Sequence, residues 1–329
     1  MMKQAASLIG FAAVLTLSSQ AHAANGFALT PQAQSMGFTL TQIITNIPTA
    51  VYGQSVAGAF GVLATEDGNI LVSSYNDDTV RLYTDSNGAK GSKLLKTTTV
   101  SGARYTQFAK LNGKIYAVNR VANTIMQLTQ NGSFAGNITV SLPPVNFAIV
   151  AAPALNSLIV STAGGLYLTT GLANGYKYSG LSAAPSVTLL SGSQNTTTLY
   201  FDSAKMQYYQ ENLDTFNNYT LSGKTVTHNS STFIEGNGYG GSAYGIAKIT
   251  GNNAMSGLFV LNNSHPNSIG GNSNSGDLSV INPTTNARVT IATNGEVGGR
   301  VAPDPDGSLL ITQGDSVYKL RCGHDCAFN

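Results

Sequence analysis

Residues able to do chemistry are few in this 329-residue chain, and their spacing limits what each can do. Cys322 and Cys326 are the only cysteines, set as CGHDC near the C-terminus. In an oxidising compartment the expected fate of such a pair is a disulfide. The alternative is a metal or redox site, because His324 and Asp325 lie between the thiols, although no second ligand cluster accompanies them. Histidine can act as a general base, and His265, in the polar run from Asn262 to Gly276, is better placed for that than His228. Neither a G-x-S-x-G elbow nor an H-E-x-x-H pair occurs.

The charge balance narrows the classes further. Lys and Arg number 17 against 15 Asp and Glu, a formal charge of +2, so no basic footprint for nucleic acid exists. With 42% hydrophobic and 10% charged residues the chain can bury a sizeable core, which excludes a disordered polymer.

Residues 1–23 read as a secretory signal peptide. Lys3 gives the positive start, Leu8 to Leu17 the apolar stretch, and Ala21-His22-Ala23 the small-residue cleavage site. The apolar stretch is too short for a spanning helix of about 20 residues, and no later run reaches about 18. The mature protein is therefore expected to be secreted or periplasmic, with residues 24–329 forming one domain.

The elements that must position any site come from a repeat. The run ILVSSYNDDTV (Ile70 to Val80) aligns without a gap on IYAVNRVANTI (Ile115 to Ile125), 45 residues later. Each is a β-rich run, a polar turn and the start of a second strand, preceded by a turn signal, Asp67-Gly68-Asn69 or Asn112-Gly113-Lys114. Weaker copies begin near Leu158, Met206, Leu258 and Leu309. Taking Leu71, Tyr116, Ile159, Gln207, Phe259 and Leu310 as equivalent gives steps of 45, 43, 48, 52 and 51 residues. A four-stranded propeller blade has this period, about 40 to 50 residues. The sixth copy lacks an outer strand, while GFTLTQIIT (Gly37 to Thr45) is a strand without a blade. The expected fold is all-β, a six-bladed β-propeller closed by Phe38 to Thr45 pairing beside Val317 to Leu320; a seventh, degenerate blade is the alternative.

The tracts FGVLATEDGNILVSS (Phe60 to Ser74) and GRVAPDPDGSLLITQ (Gly299 to Gln313) resemble the NHL-type blade, and more loosely the gluconolactonase (senescence marker protein) and streptogramin lyase-like group. The resemblance implies a ligand site at one mouth of the channel, with a divalent cation such as Ca2+ in lactonases and a histidine base in the lyases. At the end of each second strand, where NHL repeats often carry Asp, this chain has Ser74, Asn119, Thr162, Gln210, Asn262 and Gln313. None is a carboxylate, and a hard cation wants charged oxygens. Nearby acids are Asp77, Asp78, Glu211, Asp214, Glu296 and Asp315, which read either as turn residues or as ligands.

The expected site is thus the mouth formed by loops after the second strands and between blades. Its candidate residues are Tyr75, Tyr105, Asn119, Arg120, Gln210, Asn262 and His265, with Tyr209, Tyr239 and Tyr244 nearby. Amides and tyrosines suit a small neutral polar ligand, a glycan or a protein partner. No cofactor is expected on this reading, no nucleic acid and no membrane span, and the chain should be a monomer. A metal-dependent hydrolase or lyase, with a cation in the channel, is the competing function.

Overall fold

The computed structural model describes residues 26–52, 55–86, 91–138, 142–170, 186–191, 196–212, 215–223, 225–233, 242–264, 276–296, 298–323 and 325–329. The expected leader, and with it Asp214, Tyr239, His265 and His324, lies outside the described residues.

Six sheets form the ring. Blade 1 runs Ala59–Ala64, Asn69–Ser74, Thr79–Thr84 and Leu94–Thr99 from the channel outward. Blade 2 begins at Phe108–Leu111, blade 3 at Val145–Ala152, blade 4 at Thr196–Asp202 and blade 5 at Ser242–Gly251. Blade 6 takes three strands from the C-terminal region, Gly298–Pro303, Leu309–Gln313 and Ser316–Arg321, and its outer strand, Thr39–Ile44, from the N-terminal region. The closing register runs from Thr39 opposite Arg321 to Ile44 opposite Val317. Six blades therefore stand where seven were the alternative. The stretch before blade 1 holds a hairpin, Ala50–Tyr52 with Ser55–Ala57, in place of another blade.

Blade strands are apolar on both faces because each sheet is covered by two neighbours. Ile70 and Val72 pack toward blade 6 with Ile44, Leu310 and Val317, whereas Leu71 between them packs toward blade 2 with Phe108, Ile115 and Met126. Successive side chains point to opposite faces, so a continuous apolar run is what a doubly covered strand requires. Among the described residues the outer strand Leu94–Thr99 has no neighbour beyond it, and it is largely exposed. The Asn112-Gly113 signal is a two-residue hairpin with φ of 51° and 70°, the left-handed pair such a turn demands.

Blades are joined by a recurrent polar latch. Ser73 Oγ donates to the Thr106 carbonyl at 2.7 Å, Ser161 Oγ to Thr196 at 3.2 Å, Asn262 Nδ2 to Gly299 at 2.9 Å and Thr312 Oγ1 to Phe60 at 2.7 Å. Each reaches from a second strand to the start of the next blade's inner strand, or just before it, where the backbone is buried and needs a partner. Asn262 is thus equivalent to Ser73 and Thr312, one position earlier in the repeat than its sequence alignment with Ser74. Gly61 sits inside one of these latches. A Cβ there would collide with the Thr106 carbonyl and the Ser73 hydroxyl, so only glycine allows blades 1 and 2 to approach this closely.

The C-terminus carries an element the repeat did not announce. Cys322 and Cys326 form a disulfide, so the thiols are not available as metal or redox ligands. Immediately after it, Cys326–Phe328 pairs with Ile249–Gly251 on blade 5, burying Phe328. At the other edge of that blade, Ala28–Leu29 pairs with the outer strand.

Candidate functional site

The mouth residues divide into two groups. Tyr75, just after the second strand of blade 1, and Tyr105, in the connection into blade 2, meet edge to face with ring centroids 4.5 Å apart. Both rings also approach Phe60, at 5.8 and 5.9 Å. The Arg104 guanidinium lies 4.6 Å from the Tyr105 ring centre and donates to the Tyr105 hydroxyl at 2.6 Å and to the Tyr75 carbonyl at 3.2 Å. Arg120 approaches the same ring at 5.6 Å. Arg104 and Arg120 are exposed and the two tyrosines half-buried, so this cluster is a solvent-facing surface of phenols and guanidiniums.

Tyr105 has φ +59°, a left-handed conformation that a bulky side chain rarely adopts. Such strain costs of order 1–3 kcal/mol and persists only where the surroundings enforce it. Here Tyr105 N donates to the Ser74 carbonyl, while Asp78 receives the Arg104 N–H at 3.0 Å.

The second group is built into the scaffold. Asn119 Oδ1 accepts from the N–H groups of Val121 and Ala122, and its Nδ2 donates to the Ser101 carbonyl, so it caps the turn between two strands. Ser74 and Thr162 cap the corresponding turns of blades 1 and 3. Asn262 is fully buried, donating across to blade 6 and accepting from Gln313 at 2.7 Å. Gln210 is likewise fully buried, in the second strand of blade 4. Tyr209 is buried against Phe216 and Phe259. His228 lies on the outer strand of blade 4, against Tyr219, remote from the channel.

Asp77, Asp78 and Asp315 lie in bends or turns, Glu296 follows the outer strand of blade 5, and Glu211 lies in the second strand of blade 4. Asp77 accepts from Thr79 N, and Glu296 from Val56 N. Burial opposes ionisation of Asp77, but the hydrogen bonds from Thr79 and Ser74 and the Arg81 charge outweigh it and lower its pKa. Among the described residues, the carboxylates that converge as metal ligands would are Asp85, Asp304 and Asp306. Lys319, 1% exposed, places its ammonium among them, at 2.7, 2.6 and 3.2 Å. A lysine thus holds the position a divalent ion would take, between blades 6 and 1. Its signal in the sequence is PDPDG, two aspartates one strand ahead of the strand Ser316–Arg321 that carries Lys319.

Around the channel axis the two ends differ. At the mouth with the tyrosines, Phe60 of blade 1 meets Tyr244 of blade 5 at 6.0 Å across blade 6, and the wholly buried Arg300 lies 4.9 Å from the Phe60 ring centre and 5.8 Å from that of Tyr244. Arg300 also donates to the Tyr244 carbonyl at 2.7 Å. Toward the opposite end the channel widens into a cavity of about 590 Å³, bounded by Ala64, Lys110, Pro153, Ser203, Ile246 and Pro303, one from each blade.

No family model and no curated protein matches this chain. Solved structures do. A streptogramin B lyase aligns over 88% of this chain and 99% of its own at 15% identity, TM-score 0.53. An auxiliary nutrient-binding protein from Bacteroides ovatus covers 87% and 77% at 10% identity, TM-score 0.58. A Bacteroides thetaiotaomicron protein of unknown function covers 89% and 76% at 11% identity, TM-score 0.56. The chain shares the fold of these β-propellers. Among the described residues no helix is long and apolar enough to cross a membrane.

Proposed function

We propose that this chain is a secreted or periplasmic binding protein whose tyrosine-lined mouth takes a neutral polar ligand, a glycan above all. The observation that carries the reading is the strained, arginine-clasped Tyr105 beside Tyr75, a preorganised aromatic and hydrogen-bonding surface. The signal-like leader and the disulfide support an oxidising compartment. Propellers of this fold include a nutrient-binding protein as well as a lyase, so fold alone favours neither. Asp77 accepts from Thr79 N and Glu296 from Val56 N, so both acids are engaged within the protein, which favours binding over metal-dependent hydrolysis or elimination.

The test is an array of neutral and uronic-acid oligosaccharides probed with the purified protein and with Tyr105→Asn. Asparagine tolerates the left-handed backbone, so the fold is kept while the ring is removed. Binding to neutral glycans that the substitution removes supports the proposal. Absence of glycan binding, or binding indifferent to Tyr105→Asn, overturns it.

A further inference from the structure

We infer that the channel cavity opposite the tyrosine mouth is a second binding site, which takes a neutral molecule with an apolar body and a hydroxyl or amide head. Its volume of about 590 Å³ is that of a small-molecule pocket. Much of its wall is apolar, including Leu63, Phe108, Leu199 and Ile246. Within this wall two polar side chains are more than nine-tenths buried and lack a hydrogen-bond partner, Gln107 at Oε1 and Tyr200 at its hydroxyl. Buried polar atoms of native proteins are nearly always satisfied, by protein, by water or by a ligand. Burial, together with the neighbouring Asp202 charge, raises the Tyr200 pKa, so its hydroxyl keeps its proton and can donate.

The hydrogen-bonding groups of the wall set the ligand class. Asp202 is paired with Lys248 at 2.5 Å and Asp304 contacts the Lys319 ammonium at 2.6 Å, so each buried carboxylate of the wall has a counter-ion, while Lys110 stands half-buried at the rim. Gln107 Oε1 calls for a donor, which a carboxylate lacks and a hydroxyl or amide has. A hydroxyl or amide can donate, as Gln107 Oε1 requires, and accept, as the Tyr200 hydroxyl requires. The C-terminal residue also borders the cavity: Asn329 is held there by reciprocal backbone bonds with Lys248 at 2.9 Å, so the disulfide-anchored tail forms part of the rim.

The probe is N-phenyl-1-naphthylamine, neutral, apolar and carrying one N–H, whose fluorescence rises in an apolar site. The purified full chain should bind one probe per molecule saturably. Ala151→Trp and Ser203→Trp, each placing a large ring at a residue of the cavity wall, should weaken binding by at least about tenfold, the second serving if the first does not fold. Gln107→Leu should weaken it about three- to tenfold by removing one hydrogen bond. Tyr105→Asn should leave it unchanged, which separates this site from the mouth. 1-Decanol should displace the probe at lower concentration than decanoate. A probe signal that is absent, or that both tryptophan variants retain, overturns the site, and decanoate competing as well as decanol overturns the ligand class.

Discussion

The ring of Phe60, in the inner strand of blade 1, stands 6.0 Å from the ring of Tyr244 in blade 5, although blade 6 separates their strands. The two residues can meet only near the channel axis, where Arg300 lies against both rings. Phe60→Ala should therefore loosen three blades at once. The expected cost is about 3–5 kcal/mol, as for other large aromatic deletions in cores. Urea unfolding followed by tyrosine fluorescence measures it, and a loss under about 1 kcal/mol would show that the rings do not act as a plug.

Ser73→Ala tests the latch between blades. The hydroxyl accepts from Gly61 N at 2.8 Å and donates to Thr106 O at 2.7 Å, both inside the protein. Its removal leaves a buried donor and acceptor without that partner, a cost of about 1–3 kcal/mol. Thr312→Val, which deletes the same contact between blades 6 and 1, should fall in the same range. Because Ser73 holds the N–H and Thr312 the carbonyl of the one Phe60–Gly61 peptide group, the double variant should depart from additivity.

Lys319→Met should destabilise the fold by about 3–5 kcal/mol at neutral pH, because three carboxylates then face one another without their cation. The loss should shrink as pH falls and the acids protonate. Thermal melts of the variant between pH 4 and 8 check this, and a loss equal at both ends would refute the charge explanation.

The pH profile of the native chain follows from the same groups. Burial opposes the Asp306 charge, but bonds from Ser308 and Arg321 and the Lys319 charge prevail and hold its pKa below 3.8. Asp202 is likewise buried, and is lowered by Lys248 and by the Lys205 and Ala204 amides. Both contribute stability that is present above the ordinary carboxylate pKa and lost as pH falls through their folded values. Asp304 acts in the opposite sense: burial, with the Asp85 and Asp306 charges against the Lys319 contact, raises its pKa, so its ionisation costs stability. Lys319 is raised above 10.5 by its carboxylate partners in spite of burial, so its contribution is complete below that value and lost above its folded pKa. Stability should form a plateau between about pH 5 and 10 and fall on both sides. Urea midpoints across pH 2 to 11 test the shape, and a midpoint that keeps rising below pH 4 would contradict it.

Reducing the Cys322–Cys326 bond should act on the tail more than on the ring. The closed loop is tiny, so the entropic effect is limited to about 2 kcal/mol. Hydrogen exchange should quicken at Ala327 and Phe328 and at their partners Ile249 and Thr250, while the blade 1 strands keep their protection. Equal acceleration everywhere would show that the tail is integral to the global fold.

Six blades, the closing strand and a disulfide were the favoured reading of the sequence, because each is written in local terms, while the choice against a seventh blade and against a metal site at Cys322 and Cys326 came from the structure. Ile70 to Val80 and Ile115 to Ile125 repeat a strand-turn-strand pattern, the Asn112-Gly113 turn has its own backbone preference, and a sixth copy short of one strand needs Thr39–Ile44 to complete it. Tyr75, Tyr105 and Arg120 were legible as neighbours because their loops share one end of the ring. Tertiary structure alone decided that Asn119 caps a turn and that Asn262 fastens two blades, since the direction of a side chain within a doubly covered sheet depends on register, and a shift of one residue exchanges the faces. It alone set Lys319 among Asp85, Asp304 and Asp306, and laid the last three residues but one along blade 5. It alone opened the cavity beside Gln107 and Tyr200, because a space at the axis belongs to all six inner strands together and to no single stretch of the chain.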